Sequence, residues 1–227
     1  MADAEELQDP LKPLDRILSS DPRHRGSLCA LENLHSSLDQ IRVHAGVPLH
    51  VRQLFETAKN LSLHSWFVFR FHPIAKLLGY ASLERALKER AAREDGVEVD
   101  AVRKTLHPLM ARAVASGWLK SEGFESVRRS ARVQLRDEQM FGMIQSGTID
   151  EQGVEAPEIS EAAILERATQ MDYVIRIAES IPYIRNHIAH GGRLLDGGSV
   201  VTLRVVAEAI NQLFDRSKST NVNSSAS

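Results

Sequence analysis

Apolar residues return every three or four positions along most of this chain, and no two segments show the strict alternation of paired strands. Leu31, Leu34, Leu38 and Ile41 form the first such stripe, which predicts an amphipathic helix within residues 28–48, ending before Gly46-Val47-Pro48. Pro10, Pro13 and Pro22 precede it and mark residues 1–27 as a flexible lead. Residues 49–72 are apolar almost all round near Trp66, Phe67, Val68 and Phe69, as expected of a central helix that Pro73 stops or kinks. The most apolar run, 61–71, is broken by His64 and Arg70 and is far shorter than the roughly 20 residues of a membrane span. It reads as buried core, and no membrane partner is expected.

Helical spacing resumes through Ile74, Leu77 and Leu78 and again through Tyr80, Leu83 and Leu87, with Gly79 as a break between them and Asp95-Gly96 as the close. Val99, Val102, Leu106, Met110, Ala113 and Val114 make the next stripe, and Gly117 sits where a helix end needs a left-handed residue. A further helix is expected to start near Glu125. Residues 148–160 carry Asp, Glu, Gly and Pro without periodicity, so an exposed loop insertion is placed at about 147–160. Ile164, Ala168, Met171, Ile175, Ala178 and Ile181 then share one helical face, with Ser160 available as its cap. The last helix follows Ser199 and buries Leu203, Val206, Ala207, Ile210, Leu213 and Phe214, while 217–227 is a polar tail expected to be disordered.

These stripes predict an all-α protein, an antiparallel helical bundle with one globular body over 49–216. Its 227 residues suffice for a substantial core, and 43% hydrophobic with 26% charged residues is ordinary for a folded domain. A formal charge of -2 gives no overall attraction to nucleic acid, so any RNA contact has to come from a local basic surface. The one cysteine, Cys29, cannot form an internal disulfide and reads as a small buried hydrophobe in a reducing, cytoplasmic setting. Residues 1–9 are acidic and lack the basic region and apolar stretch of a signal peptide, so export is not expected.

One segment is more specific than periodicity. Ile181-Pro182-Tyr183-Ile184-Arg185-Asn186-His187-Ile188-Ala189-His190-Gly191 lies between two amphipathic stretches. It resembles the R-x4-H signature of the HEPN family, in which an arginine is followed by a polar residue and then, four to six positions on, by a histidine near a helix end. Arg185, Asn186 and His190 match that pattern in order and spacing. A second, looser likeness to helices of bacterial HEPN-like proteins covers residues 58–90, including Ser65-Trp66-Phe67-Val68-Phe69 and Tyr80-Ala81-Ser82-Leu83-Glu84.

The resemblance implies a HEPN-type bundle with an extra N-terminal helix. It implies a metal-independent endoribonuclease of toxin or phage-defence kind, working as a homodimer with both motifs in one cleft. RNA is then the substrate, an antitoxin or defence-system protein the further partner, and no cofactor is required. Cleavage without metal needs a base for the 2′-hydroxyl, an acid for the 5′-oxygen and positive charge on the transition state; His190, its dimer mate and Arg185 have the right chemistry. Asn186 cannot shuttle protons at neutral pH and suits phosphate binding or orientation of the histidine. Whether His190 acts as acid or base stays open.

Four more residues are substrate-binding candidates: His187 within the motif, and Arg128, Arg132 and Arg136, which lie along one helix face and can follow a phosphate backbone. The same stripe also suits a solvated surface paired with Asp137 and Glu138. His187 and His190 have the spacing of two metal ligands on a helix, but no third ligand is near in sequence. Trp66 and Trp118 lie in apolar contexts that favour packing over base stacking. No P-loop, dinucleotide fingerprint, Gly-x-Ser-x-Gly elbow or cysteine pairing of zinc type occurs. The alternative is a non-catalytic HEPN-like dimer that binds RNA or another protein through the same surface.

Overall fold

The computed structural model describes residues 10–24, 30–146, 158–191 and 195–215. Among them the regular structure is entirely helical: α1 (Leu31–Asp39), α2 (Leu49–His64), α3 (Phe71–Asp95), α4 (Leu106–Ala115), α5 (Glu125–Gln145), α6 (Glu161–Thr169), α7 (Tyr173–Ala189) and α8 (Ser199–Leu213). Cys29, most of the expected 147–160 insertion and the 217–227 tail lie outside the described residues.

α3 is the hub, in contact with α2, α8, α4 and α7, while α5 packs chiefly on α6. Val51 and Phe55 of α2, Leu83 and Leu87 of α3, Leu109 and Met110 of α4, and Leu203 and Ile210 of α8 are completely buried in one continuous core. These are the residues that recur every three or four positions, so the periodic pattern marks the faces that turn inward.

Three expectations need correction. The helix expected over 49–72 ends at His64, and Pro73 belongs to the first turn of α3 rather than terminating a helix. The first backbone N–H groups of a helix have no intrahelical acceptor, so a proline loses nothing there. Residues 66–69 are half-buried in the turn between the two helices and are not core. Gly79 does not break α3. A Cβ built on it would stand 2.8 Å from Cδ2 of Leu203, so the missing side chain lets α3 and α8 approach closely. Finally, the stripe from Ile164 to Ile181 is divided between α6 and α7. Ser121 explains the break: its hydroxyl donates to the Met171 carbonyl at 2.6 Å and accepts from the Val174 N–H at 3.2 Å, satisfying the groups that the interruption frees.

Other expectations match. Gly117 has φ +66° directly after α4, α5 starts at Glu125, and the Ser160 hydroxyl accepts from the Ala163 N–H to cap α6. Two further expectations do not match: α1 is shorter than the 28–48 span. Part of the 1–27 lead is docked: Asp21 is buried, its carboxylate accepts from the Phe69 N–H at 3.1 Å and from Arg23 at 2.8 Å, and its own N–H donates to the Trp66 carbonyl at 2.8 Å. His24 stacks on Trp66 with ring centroids 4.9 Å apart.

A buried polar cluster ties the start of α8 to α2 and α3. Ser199 Oγ is 2.6 Å from both Ser62 Oγ and His72 Nδ1. Lys76 pairs with Asp196, whose carboxylate also accepts from the Gly198 N–H at 2.8 Å. His72 is 3% exposed, and burial holds its imidazole down at about 4, helped by the neighbouring His24 and Lys76 charges.

Candidate active site at the end of α7

The residues that anchor α7 are Ile177, Ala178, Ile181 and Pro182, all buried against the core. The helix ends where the sequence signals it. His190 is the C-cap and its N–H donates to the Asn186 carbonyl at 3.0 Å, while Gly191 takes φ +76° and donates to the Ile188 carbonyl. A left-handed residue directly after a helix is where glycine avoids the steric cost of a Cβ.

This termination carries Arg185, Asn186 and His187 on the last turns of α7 with His190 at its tip. Asn186, His187 and His190 are exposed and Arg185 is half-buried. Helical geometry sets Arg185 and His190 roughly 140° apart around the axis and about 7.5 Å apart along it. Asn186 and His190 lie closer together, about 40° apart in the same projection. One copy therefore shows a histidine and an asparagine outward and turns its arginine towards α3.

Arg185 is held there. Its Nη1 donates to Asn186 Oδ1 at 3.1 Å, and Nη2 lies 3.5 Å from Glu84 Oε2 on α3. Glu84 also pairs with Lys88 at 3.0 Å, one turn along α3. The result is a line of alternating charge, Lys88, Glu84, Arg185, ending at the Asn186 amide. Fixing a guanidinium between a carboxylate and an amide restricts its rotamers and presents its remaining donors in a set direction. Glu84 and Lys88 are the neighbours that sequence reading did not assign to the site. Their spacing of four on a helix was visible, but the meeting of Glu84 with Arg185 depends on α3 packing against α7.

The basic stripe belongs to a different helix, α5. Arg128 donates to the Glu122 carbonyl at 2.8 Å and to Glu125 at 2.7 Å, and it lines a groove with His44, Glu208 and Asn211. Arg132 pairs with Glu161 at 3.5 Å, and Arg136 is exposed. The compensating carboxylates are thus Glu125 and Glu161; Glu138 turns instead to Arg167 at 2.6 Å. In the groove, burial raises the Glu208 carboxyl above its usual range, opposed by the Glu125 N–H that it accepts at the start of α5.

Trp118 is buried beneath the guanidinium groups of Arg90 and Arg112, a packing role. Among the described residues no group of three or more His, Cys, Asp or Glu side chains forms a metal-ligating cluster, and no helix is long and apolar enough to cross a membrane. Comparison of the chain with protein-family profiles, curated proteins and solved structures finds no match.

Proposed function

We propose that this protein is a metal-independent endoribonuclease of the HEPN kind, with Arg185, Asn186 and His190 as its catalytic residues. The observation that supports the reading is the exposed end of α7, where Asn186 and His190 face outward while Glu84 and the Asn186 amide hold Arg185 on the adjoining face of the same helix. In the reaction the 2′-oxygen attacks the adjacent phosphorus as a base removes its proton. The bond from phosphorus to the 5′-oxygen breaks, and an acid protonates the leaving oxygen. The products are a 2′,3′-cyclic phosphate and a free 5′-hydroxyl. Arg185 stabilises the negative charge that gathers on the phosphoryl oxygens, and Asn186 hydrogen-bonds the phosphate.

One copy offers a single His190 and separates it from Arg185 around the helix, so two copies with opposed α7 ends supply acid, base and cation together. The working unit in this reading is a homodimer in the cytoplasm, acting on RNA, with a toxin or defence role that an antitoxin or defence-system protein restrains. The non-catalytic alternative draws on Glu84, which compensates the charge of Arg185 and so weakens its pull on phosphate.

The test is incubation of purified protein with mixed RNA in EDTA. The expected product carries a 2′,3′-cyclic phosphate. RNA that stays intact, or cleavage only when divalent metal is added, overturns the reading; binding without cleavage favours the scaffold.

A further inference from the structure

Tyr183 presents its ring to solvent at 73% exposure, although a tyrosine on a packed helix usually lays its ring on apolar neighbours. Its nearest aromatic partner is His187, one turn along α7, with centroids 6.4 Å apart and planes inclined by only 15°. Helical spacing places Tyr183, Asn186, His187 and His190 within an arc of about 100°. All four are exposed, and the opposite side of α7 is the one buried in the core. The aromatic pair therefore shares its face with two of the proposed catalytic groups.

We propose that Tyr183 and His187 form a stacking platform for one unpaired nucleobase next to the scissile phosphate. The proposal rests on the ribonuclease reading above. A base inside a duplex has both faces covered and cannot lie on the ring, whereas a base in a loop or single strand offers a free face that any aromatic side chain accepts. Tyr183 precedes Asn186 by about 4.5 Å along the axis, so a base on the ring leaves its own phosphate beside the motif. Glu179, exposed one turn further back on the same face, repels a second phosphate and confines the platform to a single nucleotide.

The experiment measures binding of a fluorescein-labelled, uncleavable 2′-O-methyl oligonucleotide by anisotropy, and cleavage of the matching RNA in parallel. Tyr183→Ala is expected to weaken binding about tenfold, with the loss in cleavage falling on KM, and Tyr183→Phe to restore both, since the ring and not the hydroxyl carries the stacking. Scanning a single abasic position through the oligonucleotide should locate one site that costs the wild type the same factor and costs Tyr183→Ala nothing further. Equal affinity of wild type and Tyr183→Ala, or equal losses from the abasic site in both, overturns the platform. So does a shift of Tyr183→Ala from dimer to monomer, which assigns the ring to a subunit interface. Cleavage by the wild type with no effect of Tyr183→Ala sinks the platform alone. Binding without cleavage, weakened by Tyr183→Ala, sinks the ribonuclease reading and leaves the stacking surface standing. A wild type that neither binds nor cleaves ends both.

Discussion

His72 Nδ1 lies 2.6 Å from the Ser199 hydroxyl, and the other ring nitrogen is buried with no hydrogen-bond partner. The side chain is therefore kept neutral, at about 4, against about 6.5 in an unfolded chain. As pH falls below about 6.5, unfolded molecules take up a proton that folded ones refuse, so stability drops until the folded value is reached and then levels off. The loss should be about 3 kcal/mol in denaturant titrations compared between pH 7 and pH 4. His72→Gln, which can still bond to Ser199, should flatten that window. An unchanged slope in the variant would refute the assignment. Asp21, held below the usual carboxylate range by Arg23, loses its contribution at lower pH, below about 4, so the two effects separate.

Glu84 gives a second test. Glu84→Gln removes the charge that orients Arg185, and turnover of RNA is expected to fall about tenfold. Binding of an uncleavable oligonucleotide should hold or tighten, because a negative charge beside the phosphate is gone. A structural role alone predicts neither split. The pair is partly exposed, so the melting temperature should move little.

His190→Ala should lower kcat by about 10² to 10⁴-fold, the usual size of acid-base catalysis, and Arg185→Ala by about 10² to 10³-fold, the usual cost of losing a group that stabilises transition-state charge. Circular dichroism and melting should match the parent because His190 is exposed and Arg185 only half-buried. Variants as active as the parent would remove both residues from the mechanism.

Light scattering should report a homodimer at micromolar concentration. Monomer alone across that range contradicts a site shared between two α7 ends.

Gly79→Ala is expected to destabilise by about 1 kcal/mol. The gain in helix propensity is outweighed by the contact with Leu203, which is fully buried and has nowhere to turn. Thermal denaturation measures it, and a stabilised variant would mean that α8 shifts aside freely.

The sequence shows the helices well where one face alone is apolar. The stripes through Leu203 and Ile210 and through Leu106 and Met110 each become a buried face, and Gly117 and Gly191 stop helices with the positive φ their positions imply. It misleads where tertiary contacts replace local signals. Pro73 and Gly79 look like breakers, yet one occupies a first turn and the other a helix crossing. The interruption after α6 is set by Ser121, which belongs to a distant part of the chain. The candidate site shows the same division. Asn186, His187 and His190 emerge together because helix spacing is local, whereas Glu84 reaches Arg185 through packing that no spacing rule anticipates.

The docking of Asp21 and His24 gives the molecule a built-in optical gauge. The His24 imidazole stacks on Trp66 at the turn between α2 and α3, while Trp118 sits under two guanidinium groups in the core. Detaching the lead, as Asp21→Ala should do, wets the first indole and leaves the second dry. The emission spectrum would then move to longer wavelength by the contribution of Trp66 alone, so loosening of this corner can be followed by fluorescence without a label and before the helices melt.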